Sequence, residues 1–254
     1  MILAIDIGNT NIAIGGFSEN EPLFVARIST DARRTSDEYA GIISGTLSLY
    51  GVAPSEISGA IIASVVPPLT EVMKNAIFFI CGVRAEAVGP GIKTGINIHC
   101  DDPSSVGADL ICACVAVKAQ YTSPAIIIDM GTATKITLTD ENGGFEGVSI
   151  LAGVKMGLKA LAEGTAQLPQ VSIEEPRSVV GKNTADCMRS GVIFGNASML
   201  DGMIDRFEEA AGRELSVYAT GGLAGAVIRH CRHKITLDEN LVLKGLYLIY
   251  CKNN

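Results

Sequence analysis

One six-residue pattern occurs twice in this chain. Ile5-Asp6-Ile7-Gly8-Asn9-Thr10 returns as Ile128-Asp129-Met130-Gly131-Thr132-Ala133, and Asp129 follows Asp6 by 123 residues in a chain of 254. Each copy is an apolar run ending in an aspartate, then a turn of small residues, then a second apolar run. Each opens a strand-strand-strand-helix series. A repeat at about half the chain length predicts an internal duplication. The expected architecture is two α/β halves, 1–121 and 122–254, flanking a cleft of the kind where small ligands bind. Tyr121-Thr122-Ser123-Pro124 is the expected boundary, and no low-complexity linker surrounds it.

Periodicity supplies the elements. Ile2–Ile7 and Ile12–Phe17 read as a hairpin, with Leu23–Ile28 as a third strand. Ser36 opens a helix that Gly51 stops. Ala60–Val66 is a buried strand, Pro68–Cys81 a helix, Glu86–Val88 a short strand and Ala108–Ala119 a helix. In the second half, strands are expected at Ala125–Asp129, Ile136–Thr139 and Phe145–Ile150, then a helix over Val154–Glu163. Ser216–Ala219 reads as a strand before Thr220-Gly221-Gly222, and Glu239–Tyr250 as an amphipathic helix in the second half.

Composition narrows the function. A hydrophobic fraction of 48% sustains a core, and charged residues are only 19%. The net charge of −7 disfavours nucleic acid as a partner, because phosphate backbones need a basic face. The apolar runs fall well short of the ~20 residues of a membrane span. Met1 leads straight into Ile2-Leu3-Ala4-Ile5 with no basic region before it, so no secretory leader is expected. Seven cysteines at irregular spacing read as reduced thiols.

The Asp6 turn has the parts of a phosphate loop. Gly8 allows close backbone approach, Thr10 and Asn11 add donors, and Asp6 can hold Mg²⁺ through water. A hairpin turn that needs only local hydrogen bonds is the plainer reading of one copy, and the second copy argues against it. Other nucleotide motifs are missing. Gly181-Lys182 is followed by Asn183, and Asn9-Thr10 breaks any dinucleotide fingerprint. Gly221-Gly222-Leu223-Ala224-Gly225, at a strand-to-helix turn, could face an adenosine. Asp109 opens a helix, where the dipole alone favours a carboxylate. It is equally placed to take the proton of an attacking hydroxyl. His230-Cys231-Arg232-His233 reads as a solvated helix end and Arg33-Arg34 as a surface loop.

Together with these turns, the stretches Thr30-Asp31, Thr35, Asp37-Glu38-Tyr39, Ser64-Val65-Val66-Pro67, Thr94-Gly95, Val106-Gly107-Ala108-Asp109, Ala166, Leu168-Pro169, Gly181-Lys182-Asn183-Thr184 and Thr220-Gly221-Gly222-Leu223-Ala224 resemble the type III pantothenate kinases along nearly the whole chain. The resemblance implies a duplicated RNase H-like fold of the actin/Hsp70/acetate-kinase class. It implies ATP-dependent phosphorylation of pantothenate toward coenzyme A, with Mg²⁺ and a monovalent cation, K⁺ or NH₄⁺, in a cytoplasmic homodimer. Asp6, Ile7, Gly8, Asn9, Thr10, Asn11, Ile12, Ala13 and Thr132 then match nucleotide contacts. Asp109 matches the catalytic base and Asp129 the monovalent-cation ligand. Cys100, Gly107, Ala108, Asp109, Leu110 and Thr184 match substrate positions. Four positions depart from the pattern. Leu110 stands where the family has Arg, Cys100 replaces an aromatic residue, Lys135 replaces Thr or Ser, and Ala152 replaces Pro. These departures keep two further readings in view: a nucleotide-binding accessory paralogue, and a kinase of another small hydroxyl compound. Lys135 could also reach Asp129 and stand in for the free cation.

Overall fold

A computed structural model describes residues 1–254. The chain divides into two compact units: residues 1–121, 143–145 and 240–254 form the first, and 122–142 and 146–239 the second. The first crossing between the units falls at Tyr121–Thr122, and residues 143–145 and 240–254 return to the first.

The first unit is built on strands β1 (Ile2–Ile7), β2 (Asn11–Phe17), β3 (Pro22–Ser29), β4 (Gly59–Ser64) and β5 (Glu86–Ala87), in the order β3-β2-β1-β4-β5. β1 runs antiparallel to β2 and parallel to β4. Side chains alternate across a strand, so β1 serves two faces. Leu3, Ile5 and Ile7 pack with Tyr39, Ile43 and Leu47 of α1 (Ser36–Leu49) and with Leu69, Met73 and Ile77 of α2 (Pro67–Cys81). Thr35 starts α1 with a capping box: it accepts from the Glu38 N–H, and Glu38 Oε2 accepts from the Thr35 N–H at 2.8 Å.

Ala4 faces the opposite way. It packs with Ala63, with Cys112 and Val115 of α3 (Ala108–Gln120), and with Leu243, Leu246 and Ile249 of α7 (Leu241–Asn253). The sequence pattern puts this last helix in the second half, whereas the structure packs it into the first unit. Amphipathicity shows that a helix needs an apolar partner and leaves open which sheet supplies it. Gly245 explains the fit, because a Cβ there would collide with the Cys112 carbonyl on α3.

The second unit repeats the sheet. β6 (Ala125–Met130), β7 (Ala133–Thr139), β8 (Phe145–Ala152), β9 (Ser216–Thr220) and β10 (Ile235–Leu237) lie in the order β10-β9-β6-β7-β8. Substituting β6 to β10 for β1 to β5 gives the same order read backwards. β6 is again antiparallel to its hairpin partner and parallel to its other neighbour. One face carries Ile126, Ile128, Met130 and Ile136. It packs under α4 (Val154–Glu163), α5 (Thr184–Ala211) and α6 (Ala224–Ile228). The 28-residue α5 has no counterpart in the sequence expectation. Its buried Met188, Val192, Ile193, Ala197, Leu200 and Ile204 keep helical spacing, while Gly191, Gly195 and Gly202 obscure the pattern.

Candidate active site

Asp6 is next to last in β1, on the face that Ala4 shares, toward α3. Its register neighbours are Ala13 on β2 and Ala63 on β4. The turn that follows is tight. The Gly8 N–H donates to the Asn11 carbonyl at 3.0 Å, so it is spent inside the turn. Asn9, Thr10 and Asn11 form its exposed side, whereas Ile7 and Ile12 are fully buried. Of the residues expected to meet nucleotide, Ile7 and Ile12 can therefore offer only backbone atoms.

Thr30, at the end of β3, braces this loop. Its N–H donates to the Thr10 carbonyl at 3.0 Å and its Oγ1 to the Gly8 carbonyl at 2.7 Å. The next residue is pinned in turn. Tyr39 Oη, fully buried on α1, accepts from the Asp31 N–H and donates to the Asp31 carbonyl, both at 3.0 Å. Sequence reasoning assigned no role to Thr30, although the matching Thr30-Asp31 and Tyr39 were a usable signal. A side-chain hydrogen bond contributes about 0.5–1.5 kcal/mol. Thr30→Val is therefore expected to weaken nucleotide binding roughly 2- to 12-fold, measured by calorimetric titration, with the melting temperature little changed.

Asp109 lies in the first turn of α3 and is 8% exposed. Its Oδ1 accepts from the Leu110 N–H at 2.9 Å. Cys112, one turn on, ties it to the loop. Burial first, then the negative charges of Asp6 and of Asp109, push this thiol well above its ordinary range. Cys112 packs on the β1 face that Asp6 shares with Ala4, and Asp109 lies one turn before it on α3. Leu110 is 7% exposed and brings no charge to this helix start. Gly107 and Ala108 are half-buried beside Asp109, and Cys100 is exposed.

In the second unit, Asp129 is next to last in β6 as Asp6 is in β1. Its neighbours differ: Lys135 on β7 and Thr220 on β9 stand opposite it. The Gly131 N–H donates to the Ala133 carbonyl at 3.2 Å, closing a turn one residue shorter than the first, and Thr132 is exposed at its tip. Gly221 follows β9 with φ +97°, and a Cβ there would meet Met130 backbone atoms at 2.6 Å. Thr184 is the exposed first residue of α5, capped by Asn183, whose side chain accepts from the Asp186 N–H at 2.9 Å. It borders an apolar groove of about 580 Å³ between α4 and α5 that Leu158, Leu161, Cys187 and Met188 also line. The structure so gathers Asp6–Ala13 with Gly107–Leu110 in the first unit, and Asp129 and Thr132 in the second. His230 and His233 each meet an acid, Glu175 and Asp205, at 2.9 Å.

Duplicated five-stranded sheets, each with an aspartate next to last in the central strand before a tight turn, define the duplicated RNase H-like fold of the actin/Hsp70/acetate-kinase class. Solved structures share the fold. The activator of 2-hydroxyisocaproyl-CoA dehydratase from Clostridium difficile, with bound ADPNP, matches with a TM-score of 0.54 at 13% identity, covering 98% of this chain and 93% of that one. Component A of (R)-2-hydroxyglutaryl-CoA dehydratase from Acidaminococcus fermentans matches with a TM-score of 0.56 at 15% identity, covering 98% and 96%. Sequence carries the comparison further. The profile of the type III pantothenate kinases matches residues 2–206. A type III pantothenate kinase from Exiguobacterium sp. is 39% identical over 253 residues, covering 100% of this chain and 99% of the relative. One from Bifidobacterium animalis subsp. lactis is 40% identical over 253 residues, covering 100% of both. The chain belongs to the type III pantothenate kinase family.

Proposed function

We propose that this chain transfers the γ-phosphoryl group of ATP to the primary hydroxyl of pantothenate, giving 4′-phosphopantothenate and ADP, the first step toward coenzyme A. The observation that carries this reading is that Asp6 lies on the face of β1 that packs, through Ala4, against α3, whose first turn carries Asp109, within one unit. Asp109 takes the proton of the substrate hydroxyl as that oxygen attacks the γ-phosphorus and the bond to the β-phosphate oxygen breaks. Asn9, Thr10 and Asn11 close around the phosphates, and Thr132 adds a further nucleotide contact. Asp6, an acidic oxygen donor near the end of β1 and beside the phosphate turn, fits a divalent ion held through water. Mg²⁺ held there would neutralise phosphate charge, and phosphoryl transfer depends mainly on such neutralisation and on positioning. Gly107, Ala108, Leu110, Cys100 and Thr184 are the substrate-side positions.

We place the protein in the cytoplasm as a homodimer, with neither nucleic acid nor membrane as a partner. Its seven cysteines are free, no helix is long and apolar enough to cross a membrane, and the net charge is −7. The groove between α4 and α5, where Leu161 is exposed, offers apolar surface for a second copy.

The test is ADP release with MgATP and a panel of small alcohols. Release is expected with pantothenate. Release with another alcohol and none with pantothenate would refute the substrate assignment.

A further inference from the structure

The two acidic turns share a scaffold and differ in the neighbours of their aspartates, most of all on the hairpin partner strand. Opposite Asp6, on the hairpin partner strand, stands Ala13; opposite Asp129 stands Lys135. Directly opposed residues of an antiparallel pair emerge on the same face. Lys135 Nζ accordingly lies 2.6 Å from Asp129 Oδ2, with the two side chains 17% and 16% exposed. On the other flank Thr220, only 3% exposed, stands in register with Asp129 on β9. The carboxylate therefore already holds a cation, and that cation is covalently part of the chain. The family resemblance assigns a free monovalent ion to this carboxylate. Such an ion does not fit beside Asp129 here without displacing the ammonium from a largely buried pair, which leaves a buried charge uncompensated.

We propose that Lys135 is a built-in monovalent cation, which holds the second acidic turn in its nucleotide-binding form and makes the protein independent of K⁺ and NH₄⁺. The proposal rests on the reading of the chain as an ATP-dependent kinase. Lys135 acts through Asp129 and the Gly131-Thr132 turn, as a positioning residue. A tethered ammonium carries the same unit charge as the ion and is present at every salt concentration, so no binding equilibrium governs its occupancy.

The test compares buffers containing tetramethylammonium alone with the same buffers plus about 100 mM K⁺. Affinity for a magnesium-bound, non-hydrolysable ATP analogue is measured by calorimetry, and turnover by ADP release. The unaltered protein is expected to change less than about twofold in either quantity. Lys135→Thr, which restores the family's usual residue, is expected to lose at least about tenfold in both without K⁺, and to recover with it. Activation of the unaltered protein about tenfold or more by K⁺ overturns the proposal, and this arm needs no variant to fold. So does a folded Lys135→Thr protein as indifferent to K⁺ as its parent, which reduces Lys135 to a structural ion pair. Absence of pantothenate turnover in every buffer counts against the kinase reading alone, because the nucleotide titrations still decide the role of Lys135.

Discussion

Replacing Asp109 with asparagine is expected to lower turnover at least about 10²-fold while nucleotide affinity stays within about threefold. Asparagine keeps the shape of the side chain and a carbonyl oxygen, so the acceptor for the Leu110 N–H survives. The start of α3 should hold, and melting temperature should change little. What disappears is the group that takes the hydroxyl proton. The phosphate loop is built from β1, β2 and Thr30, none of which the substitution touches. Steady-state kinetics alongside calorimetry separates the two effects. Unchanged turnover in a folded variant would remove Asp109 from the chemistry and return it to the role of a helix-start carboxylate.

The second large effect is on stability. Gly221→Ala is expected to destabilise the protein by about 3 kcal/mol, lowering the melting temperature by roughly 6–12 °C. The backbone there has φ +97°, a conformation closed to side chains, and the new methyl would press into Met130 backbone at 2.6 Å. Met130 closes β6 directly after Asp129, so relief of the clash must move the second acidic turn. Thermal unfolding followed by circular dichroism reads the loss. Nucleotide affinity of the variant should fall with it at temperatures where it is folded. A melting curve that matches the parent would mean that β9 and β6 do not approach as described.

Much of this was legible in the residues, for local reasons. Asp6 and Asp129 could be placed at strand ends because an apolar run and a small-residue turn bracket each of them. Thr35 and Glu38 announce α1 through a capping box that is a four-residue signal. The boundary at Tyr121–Thr122 follows from the spacing of the repeat. The rest depends on contacts that are distant along the chain. Tyr39 gripping Asp31, and Thr30 gripping Gly8, join segments whose pairing no periodicity reveals. The placement of α7 depends on a collision avoided at Gly245, which only the packed helices display. α5 was hidden because glycines that suit a closely packed helix also read as turns. The approach of Lys135 to Asp129 could be suspected from its position. Its certainty comes from the β6–β7 register, which the one-residue difference between the two turns shifts relative to the first copy.

The most direct test of the account follows the phosphorus itself. The protein is incubated with ATP labelled in its γ-phosphate, Mg²⁺ and pantothenate, and the products are separated by chromatography. The expected result is label in 4′-phosphopantothenate, in step with ADP formed, and its near-complete loss in Asp109→Asn. Label released as inorganic phosphate with pantothenate unmodified would contradict it.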